Sequence, residues 1–174
     1  MVESVSAAQA ANAETESRGE ATPQIGTIRV DIVRREQKAF EATFKSEDQT
    51  FEIQIDEPRS RHGGNRAPSP LGYFVTGAAS CLAMQYVNVL EESPLPLESL
   101  KVLVRAHNDR LARTFTDMIF QVSITGPITP AEAEALARSA SKRCFVENTL
   151  EKAIPLTTEV ELNGARVVTL TRTP

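Results

Sequence analysis

A long uncharged segment constrains the fold of this chain more than any other feature. Between Ala67 and Leu90 there is no Asp, Glu, Lys, Arg or His. An uncharged run of that length raises the possibility of a membrane span. The segment is rich in Gly, Ala, Ser and Thr, however, and it also holds Gln85 and Asn88, so it is less apolar than a lipid-facing helix. We therefore predict a central helix buried by protein, which is apolar on all sides when it is covered on all sides.

The ends of this helix are marked by a capping residue and by prolines. Ser69 is a suitable N-cap and Pro70 a suitable first helical residue. The helix is predicted to run to about Glu91, because Pro94 and Pro96 prevent it from continuing much further. A helix that is apolar on all sides needs more packing surface than one domain of this size provides. We therefore expect a homodimer in which both subunits bury the helix.

Alternating apolar residues predict strands on both sides of the helix. Three short runs precede it and two longer ones follow it, over residues 28–32, 40–44, 51–55, 100–104 and 116–124. Thr129 and Glu132 form a capping-box pattern that opens a second helix, a short helix is expected over 145–152, and Asn163-Gly164 indicates a final hairpin. This order of elements predicts an α+β fold with antiparallel sheets.

The chain is expected to divide into a tail and one domain. Residues 1–24 are rich in Ala, Glu and Ser, so they are expected to form a disordered tail, and residues 25–174 a single domain with its own core. The start resembles neither a secretory signal nor an Arg-rich transit peptide. Because the chain holds only two cysteines, we expect no structural disulfide and a cytoplasmic location.

The charge balance argues against two classes of partner. The formal net charge is −4 at pH 7, from 19 basic and 23 acidic side chains. Nucleic-acid binding asks for a basic face, and anionic membranes attract clusters of Lys and Arg. Trp is absent, so few side chains are available to stack on exposed bases. We expect neither nucleic acid nor a membrane as a partner.

Two cysteines are the main candidates for chemistry. Cys81 lies inside the uncharged helix, after small residues that leave room for a ligand or another element. The walls of an apolar pocket beside it would come from Phe74, Leu82 and Tyr86. Cys144 follows two cations at an expected break between helices, and both features favour a thiolate. Each cysteine also fits a simpler interpretation, as a small apolar side chain in the core.

No metal or cofactor site is predicted. Neither His62 nor His107 has a cysteine or carboxylate at metal-ligand spacing. A hydrolase built on Cys and His stays open as a hypothesis, because such partners need only meet in space. The basic loop over residues 59–66 carries arginines for which three roles stay open. They are solvated, they cover an anionic substrate, or they supply a cation to a thiolate.

Two separate motifs carry a resemblance to a known family. The first consists of Asp56-Glu57-Pro58, Gly63-Gly64, Ala67-Pro68-Ser69-Pro70-Leu71 and Ala78-Ala79-Ser80-Cys81-Leu82-Ala83. The second consists of Thr129-Pro130, Glu134-Ala135, Lys142-Arg143-Cys144 and Glu147-Asn148-Thr149-Leu150. In this order they resemble the OsmC/Ohr-like family of thiol proteins, over roughly Gly26 to Leu170.

The resemblance implies a fold, a partner and an activity. Members of this family are intertwined homodimers in which sheets pack around long central helices, with active sites at the subunit interface. Catalytic members reduce organic hydroperoxides without a metal or haem. By that likeness Cys81 attacks a small hydrophobic peroxide, Cys144 resolves the sulfenic acid as a disulfide, and a dithiol reductant restores both thiols. Arg34 and Arg35 are the candidates for an arginine that stabilises the thiolate.

One departure from the family pattern keeps a second hypothesis open. Peroxidase members carry a glutamate nine or ten residues before the first cysteine, where it orients the arginine, and those positions are Gly72 and Leu71 here. Asp56 or Glu57 would have to replace it through space. The alternative to a peroxidase is therefore a dimer that binds a small hydrophobic ligand in its interface pocket without turnover.

Overall fold

A computed structural model describes residues 26–174 of the chain, and the predicted tail over residues 1–24 lies outside the described residues. In chain order the elements are β1 (Val30–Glu36), β2 (Ala39–Ser46), β3 (Gln49–Ile55), α1 (Pro70–Glu92), β4 (Ser99–Asp109), β5 (Thr114–Thr125), α2 (Pro130–Arg143), α3 (Phe145–Leu150), β6 (Leu156–Leu162) and β7 (Ala165–Arg172), with a 3-10 turn at Arg59–Arg61. The predicted order of three strands, a long helix, two strands, a helical pair and a hairpin is confirmed.

The first three strands form a sheet of their own. They pair antiparallel in the order β1-β2-β3. Phe44 faces Phe51 across β2 and β3, and their stacked rings, with centroids 5.2 Å apart, stabilise this register. Every residue of β1 is exposed, and Ala42 is the only buried apolar side chain described in this sheet. The sheet is therefore not packed into the core of its own chain.

The long helix α1 begins as predicted, and its apolar surface is only partly buried. The Ser69 hydroxyl accepts a hydrogen bond from the Gly72 N–H at 3.3 Å, and Pro70 is the first helical residue. One face is buried, through Ala78, Leu82, Tyr86 and Val89. Met84 and Val87 are exposed on the opposite face, and Leu71 and Phe74 are partly exposed in the first two turns. A single chain therefore leaves one apolar face of α1 open.

The helices of residues 26–174 were also compared with the requirements of a membrane span. None of them combines the length and the apolar character needed to cross a bilayer.

The second sheet is mixed rather than purely antiparallel. Its strand order is β4-β5-β6-β7, with antiparallel pairs at both ends and a parallel pair of β5 and β6 in the middle. The prediction of antiparallel sheets is therefore wrong for this one pair, because α2 and α3 form the crossover that returns the chain to the start of β6. The β6–β7 turn is made by Asn163 and Gly164, at φ of 50° and 84°, as this residue pair predicts. The α+β fold class is confirmed.

The core lies between the second sheet and the helices α1 and α2. The inward side chains of β5 are buried, namely Met118, Phe120, Val122 and Ile124. At the start of α2 the predicted capping box is present, because Thr129 accepts from the Glu132 N–H at 3.2 Å and Glu132 accepts from the Thr129 N–H at 2.7 Å. The break between α2 and α3 falls at Cys144, which places this residue in the core.

Candidate thiol site

The two cysteines come together in the structure. Cys81 lies in the middle of α1 and Cys144 at the junction of α2 and α3. Since α1 packs against both of these helices, the two sulfurs lie 3.5 Å apart. Both are free thiols. A disulfide has a sulfur–sulfur bond of about 2.05 Å, so a small shift of either side chain closes the pair.

The two thiols differ in their access to solvent. Cys144 is completely buried, whereas Cys81 is partly exposed. The reason lies in the helix: Cys81 stands at the border of the buried face of α1, between buried Leu82 and exposed Met84. A reagent that approaches from solvent therefore meets Cys81 first.

The backbone around Cys144 fixes the direction of its sulfur. Its N–H donates to the Ser141 carbonyl at 3.2 Å, and its carbonyl accepts from the Asn148 N–H at 3.0 Å. The Glu147 N–H, in the first turn of α3, lies close enough to the sulfur to lower its pKa. The chain thus turns at Cys144, with hydrogen bonds on both sides that hold the thiol towards α1.

Burial controls the acidity of Cys144. It raises the pKa of this thiol from 9.0 to about 12, and the nearby Glu147 N–H offsets only part of that rise. The sequence-based prediction that adjacent cations favour a thiolate here is therefore wrong. Arg143 points away and pairs with Glu92, with 2.6 Å between Nη1 and Oε1. Cys144 is a neutral thiol at physiological pH.

A buried carboxylate, that of Glu147, lies beside Cys144, and the sequence placed this residue in the second motif without giving it a role. Glu147 is 1% exposed, and its two oxygens accept hydrogen bonds from the hydroxyls of Ser141, at 2.5 Å, and Thr158, at 2.8 Å. Burial raises its pKa, and these hydrogen bonds oppose the rise. Arg172 on β7 reaches the same cluster, with Nη2 3.9 Å from the Glu147 carboxylate and 2.8 Å from the Ser141 hydroxyl. The only feature that could have indicated the cluster is the spacing of Glu147, one helical turn after Cys144.

The two arginines proposed to stabilise a thiolate lie elsewhere in the chain. Arg34 and Arg35 are on β1, in the sheet that is separate from the core. Arg34 donates to the Gln37 carbonyl at 2.9 Å, and Arg35 pairs with Glu41. Among residues 26–174, neither arginine is bonded to a cysteine. Within one chain, therefore, they are not brought to Cys81.

The three side chains proposed as pocket walls have different environments. Leu82 and Tyr86 are completely buried in the core, so they do not line an opening to solvent within one chain. Phe74 is 41% exposed and stacks on Phe115, with ring centroids 5.1 Å apart. A surface cavity of about 380 Å³ lies beside Phe115, near the start of α1, and three arginines line it rather than the cysteines.

The proposed substitutes for the family glutamate serve the loop that follows β3. Asp56 is buried, and its carboxylate accepts from the backbone N–H groups of Glu57, Gly64 and Arg66 at 2.8 to 3.2 Å. Burial alone would raise the pKa of Asp56, but these hydrogen bonds outweigh it and lower the pKa. Glu57 pairs with Arg61 at 3.5 Å. Both carboxylates thus have partners within the loop.

The histidines give no support to a hydrolase or a metal site. His107 pairs with Asp117 on the second sheet, with 2.7 Å between Nδ1 and Oδ1, and His62 lies in the loop after β3. In the described part of the chain, neither histidine is bonded to a cysteine. That part also contains no group of three or more side chains arranged to hold a metal ion.

Comparisons with known proteins agree with this arrangement. The family model described as OsmC-like protein matches residues 63–159, which is more than half of the chain and includes both cysteines. Protein YhfA of Escherichia coli strain K12 is 30% identical over 107 residues, which cover 60% of this chain and 80% of YhfA.

Solved structures with the same fold include three from bacteria. The OsmC-like protein of Mycoplasma pneumoniae superposes with a TM-score of 0.68 at 20% identity, over 80% of this chain and 99% of that chain. An organic hydroperoxide resistance protein of Elizabethkingia anophelis gives 0.63 at 18% identity, over 82% and 100%. OhrB of Bacillus subtilis, also an organic hydroperoxide resistance protein, gives 0.55 at 18% identity, over 79% and 98%. With a matching family model, a matching fold and a cysteine at each of the two motifs, this chain belongs to the OsmC-like protein family.

Proposed function

We propose that this protein is a thiol-dependent peroxidase that reduces organic hydroperoxides, with Cys81 as the attacking thiol and Cys144 as the resolving thiol. The observation that carries the proposal is the 3.5 Å separation of two sulfurs from distant parts of the sequence. One thiol is accessible and the other is buried behind it, which suits an attacking and a resolving group. The family, which has solved relatives named for organic hydroperoxide resistance, supports the substrate class.

The proposed cycle has three balanced steps. The Cys81 thiolate attacks one peroxide oxygen of ROOH, the O–O bond breaks, and the alcohol ROH leaves after taking up a proton, so that Cys81 becomes a sulfenic acid. The Cys144 sulfur then attacks the Cys81 sulfur, and the thiol proton and the sulfenic hydroxyl leave as water. A dithiol reductant finally reduces the disulfide by exchange and is itself oxidised. Sulfur chemistry is sufficient for all three steps, so the proposal includes no metal or cofactor.

The direct test is to count thiols after exposure to a peroxide. The reduced protein is mixed with cumene hydroperoxide, and free thiols are titrated over time. We expect both thiols to disappear together within seconds to minutes and to return on addition of dithiothreitol. The same concentration of hydrogen peroxide should act more slowly, because exposed Met84, one helical turn from Cys81, offers an apolar contact to an organic substrate. Thiols that survive cumene hydroperoxide unchanged would rule the proposal out.

Single substitutions separate the roles of the two cysteines. We expect Cys81→Ser to abolish peroxide consumption. Cys144→Ser should consume one equivalent of peroxide and stop at a sulfenic acid, which dimedone traps and mass spectrometry locates at Cys81. The assignment of roles is wrong if dimedone labels Cys144 in the Cys81→Ser protein with the same yield, or if both variants sustain turnover.

The alternative is a module that binds a small hydrophobic ligand without turnover. Two observations favour it: Leu71 and Gly72 occupy the positions of the family glutamate, and Arg34 and Arg35 are not bonded to the cysteines within the described chain. In that case an apolar fluorescent dye should bind at one site per chain and be displaced by cumyl alcohol, while the thiols stay reduced in cumene hydroperoxide.

We further propose that the working form is a homodimer in the cytoplasm. The exposed apolar face of α1 and the unpacked first sheet support the dimer. In a dimer the thiolate-stabilising arginine, Arg34 or Arg35, would reach Cys81 across the subunit interface. A reducing cytoplasm supplies the dithiol reductant that the cycle requires.

A further inference from the structure

The hydrogen bonds around Glu147 favour the ionised form of this buried carboxylate and oppose the rise in its pKa that burial causes. The Ser141 hydroxyl accepts a hydrogen bond from Arg172 at 2.8 Å, so its own proton is directed to the Glu147 oxygen 2.5 Å away. The Thr158 hydroxyl donates to the other oxygen at 2.8 Å. Donors therefore meet both oxygens, and the guanidinium of Arg172 stands 3.9 Å from one of them. This arrangement suits an ionised carboxylate, which only accepts.

The same cluster holds the resolving cysteine in place. The backbone carbonyl of Ser141 accepts from the Cys144 N–H at 3.2 Å, and the backbone N–H of Glu147 lies close enough to the Cys144 sulfur to lower its pKa. The carboxylate of Glu147 itself makes no hydrogen bond to the sulfur among the described residues. Glu147 therefore acts on Cys144 through position and charge, and it does not take the proton directly.

The charge of Glu147 affects the two thiols unequally. Cys144 and Glu147 are both completely buried and lie one helical turn apart, so the negative charge of Glu147 disfavours a thiolate at Cys144. Cys81 lies on α1, partly exposed, and accepts a hydrogen bond from the Cys144 thiol at 3.5 Å. The proton of the pair is therefore better placed on Cys144, where it stabilises a negative charge on Cys81.

We propose that Glu147 is a positioning residue for the cysteine pair: its buried negative charge keeps the proton on Cys144, so that Cys144 donates to Cys81 and Cys81 carries the thiolate. This inference deepens the proposed peroxidase function and rests on it for its biological meaning. It also gives the accessible thiolate a stabilising partner within its own chain, in addition to any arginine.

The other charged and titratable groups of the site are few. Arg172 approaches from β7 and is also paired with Glu151 at the end of α3, at 2.7 Å. Tyr86 of α1 is buried, and burial together with the Glu147 charge raises its pKa, so it stays neutral. At the end of α2, Lys142 is exposed and Arg143 is paired with Glu92. Of these groups, Glu147 acts on Cys144 through its charge, and Arg172 acts on Glu147.

The test is a disulfide exchange that uses no peroxide. The reduced protein is mixed with 4,4′-dithiodipyridine, and the release of thiopyridone is followed by absorbance. Cys81 attacks the reagent and releases one thiopyridone as it forms a mixed disulfide, and Cys144 then attacks the Cys81 sulfur and releases the second. Cys144→Ser should lose the second phase, which assigns it. Because the second phase depends on ionisation of Cys144, it reports the effect of Glu147.

Opposite substitutions should move this second phase in opposite directions. In Glu147→Gln it should be about three- to tenfold faster at neutral pH, since the Cys144 proton is held less firmly. In Arg172→Gln it should be slower, since the carboxylate is left unopposed. The control Glu134→Gln, the same change on the outer surface of α2, should alter neither phase.

Several results would overturn the inference. A role in structure alone predicts that Glu147→Gln and Arg172→Gln both slow the second phase, because both misplace Cys144. If Glu147→Gln does not fold, the pH dependence of the second phase in Arg172→Gln decides: the proposal expects its midpoint to move to higher pH, and a slower phase with an unmoved midpoint contradicts it. Absence of a first phase in the wild type contradicts it as well, since a thiolate at Cys81 must react. Because no peroxide is present, failure of the peroxidase proposal shows separately, as thiols that survive cumene hydroperoxide.

Discussion

The burial of Cys144 couples its proton to the stability of the fold. In the folded protein burial raises the pKa of this thiol from 9.0 to about 12, whereas the unfolded chain ionises at the ordinary value. The stabilisation is therefore fully present below pH 9 and is lost as the pH rises towards 12. We expect Cys144 to lower the free energy of unfolding by up to about 1.4 kcal/mol per pH unit in this range.

Urea unfolding of the reduced protein on both sides of pH 9 measures this effect. Other groups that titrate there, such as lysines, are the same in Cys144→Ala, so the difference between wild type and variant isolates Cys144. The two proteins should have unfolding free energies that converge as the pH rises. Parallel curves would mean that Cys144 is hydrated in the folded protein.

Residue types identified the two cysteines, but their surroundings depended on contacts between distant segments. A cysteine is a candidate for redox chemistry wherever it stands in a sequence, so Cys81 and Cys144 could be identified from residue type alone. Glu147 and Arg172 belong to α3 and β7, and nothing in the local pattern of either segment indicates that they meet. The prediction for Cys144 failed for the same reason: adjacent cations are visible in the sequence, whereas complete burial is a property of the packed core.

At the scale of single elements, the capping box of α2 makes a measurable contribution. Thr129 and Glu132 each satisfy a backbone N–H of the other residue. Thr129→Ala should lower the free energy of unfolding by about 1 kcal/mol, measured by urea denaturation. Because the two side chains act as one unit, adding Glu132→Ala to the Thr129→Ala protein should lower the free energy of unfolding by less than Glu132→Ala does alone. Additive costs would show that the two hydrogen bonds are independent.

Sequence rules that act within one turn predicted the ends of helices and strands better than they predicted which strands pair. Ser69 and Pro70 specify the start of α1 through the N-cap hydrogen bond and a preset backbone angle, and both act within one turn. Asn163 and Gly164 specify a hairpin in the same way. The parallel pairing of β5 with β6 was not predicted, because it depends on how the crossover through α2 and α3 packs.

At the scale of the whole molecule, two surfaces show that one chain does not complete the core. The outward face of α1 exposes the large apolar side chains of Met84 and Val87, and the first sheet has no core of its own. Exposed apolar area of this kind marks a binding surface. The uncharged segment was enough to predict that one chain would not bury this helix completely. It did not indicate which face of the helix stays exposed.

A charge placed on the open face of α1 should therefore separate the subunits of the proposed homodimer. Met84 is 58% exposed in the single chain and lies on that face, three residues after Cys81. Met84→Glu would bury an unpaired carboxylate between the subunits, at a cost of several kcal/mol, and should weaken dimerisation by about 100-fold or more. Light scattering after size exclusion should give a dimer for the wild type and a monomer for the variant at the same concentration. Leu111→Glu, at the exposed β4–β5 turn, is the matched control and should stay dimeric. A Met84→Glu protein that stays dimeric on dilution would place the interface on another surface. In that case a partner subunit would not pack on α1, and its β1 arginines would not reach Cys81.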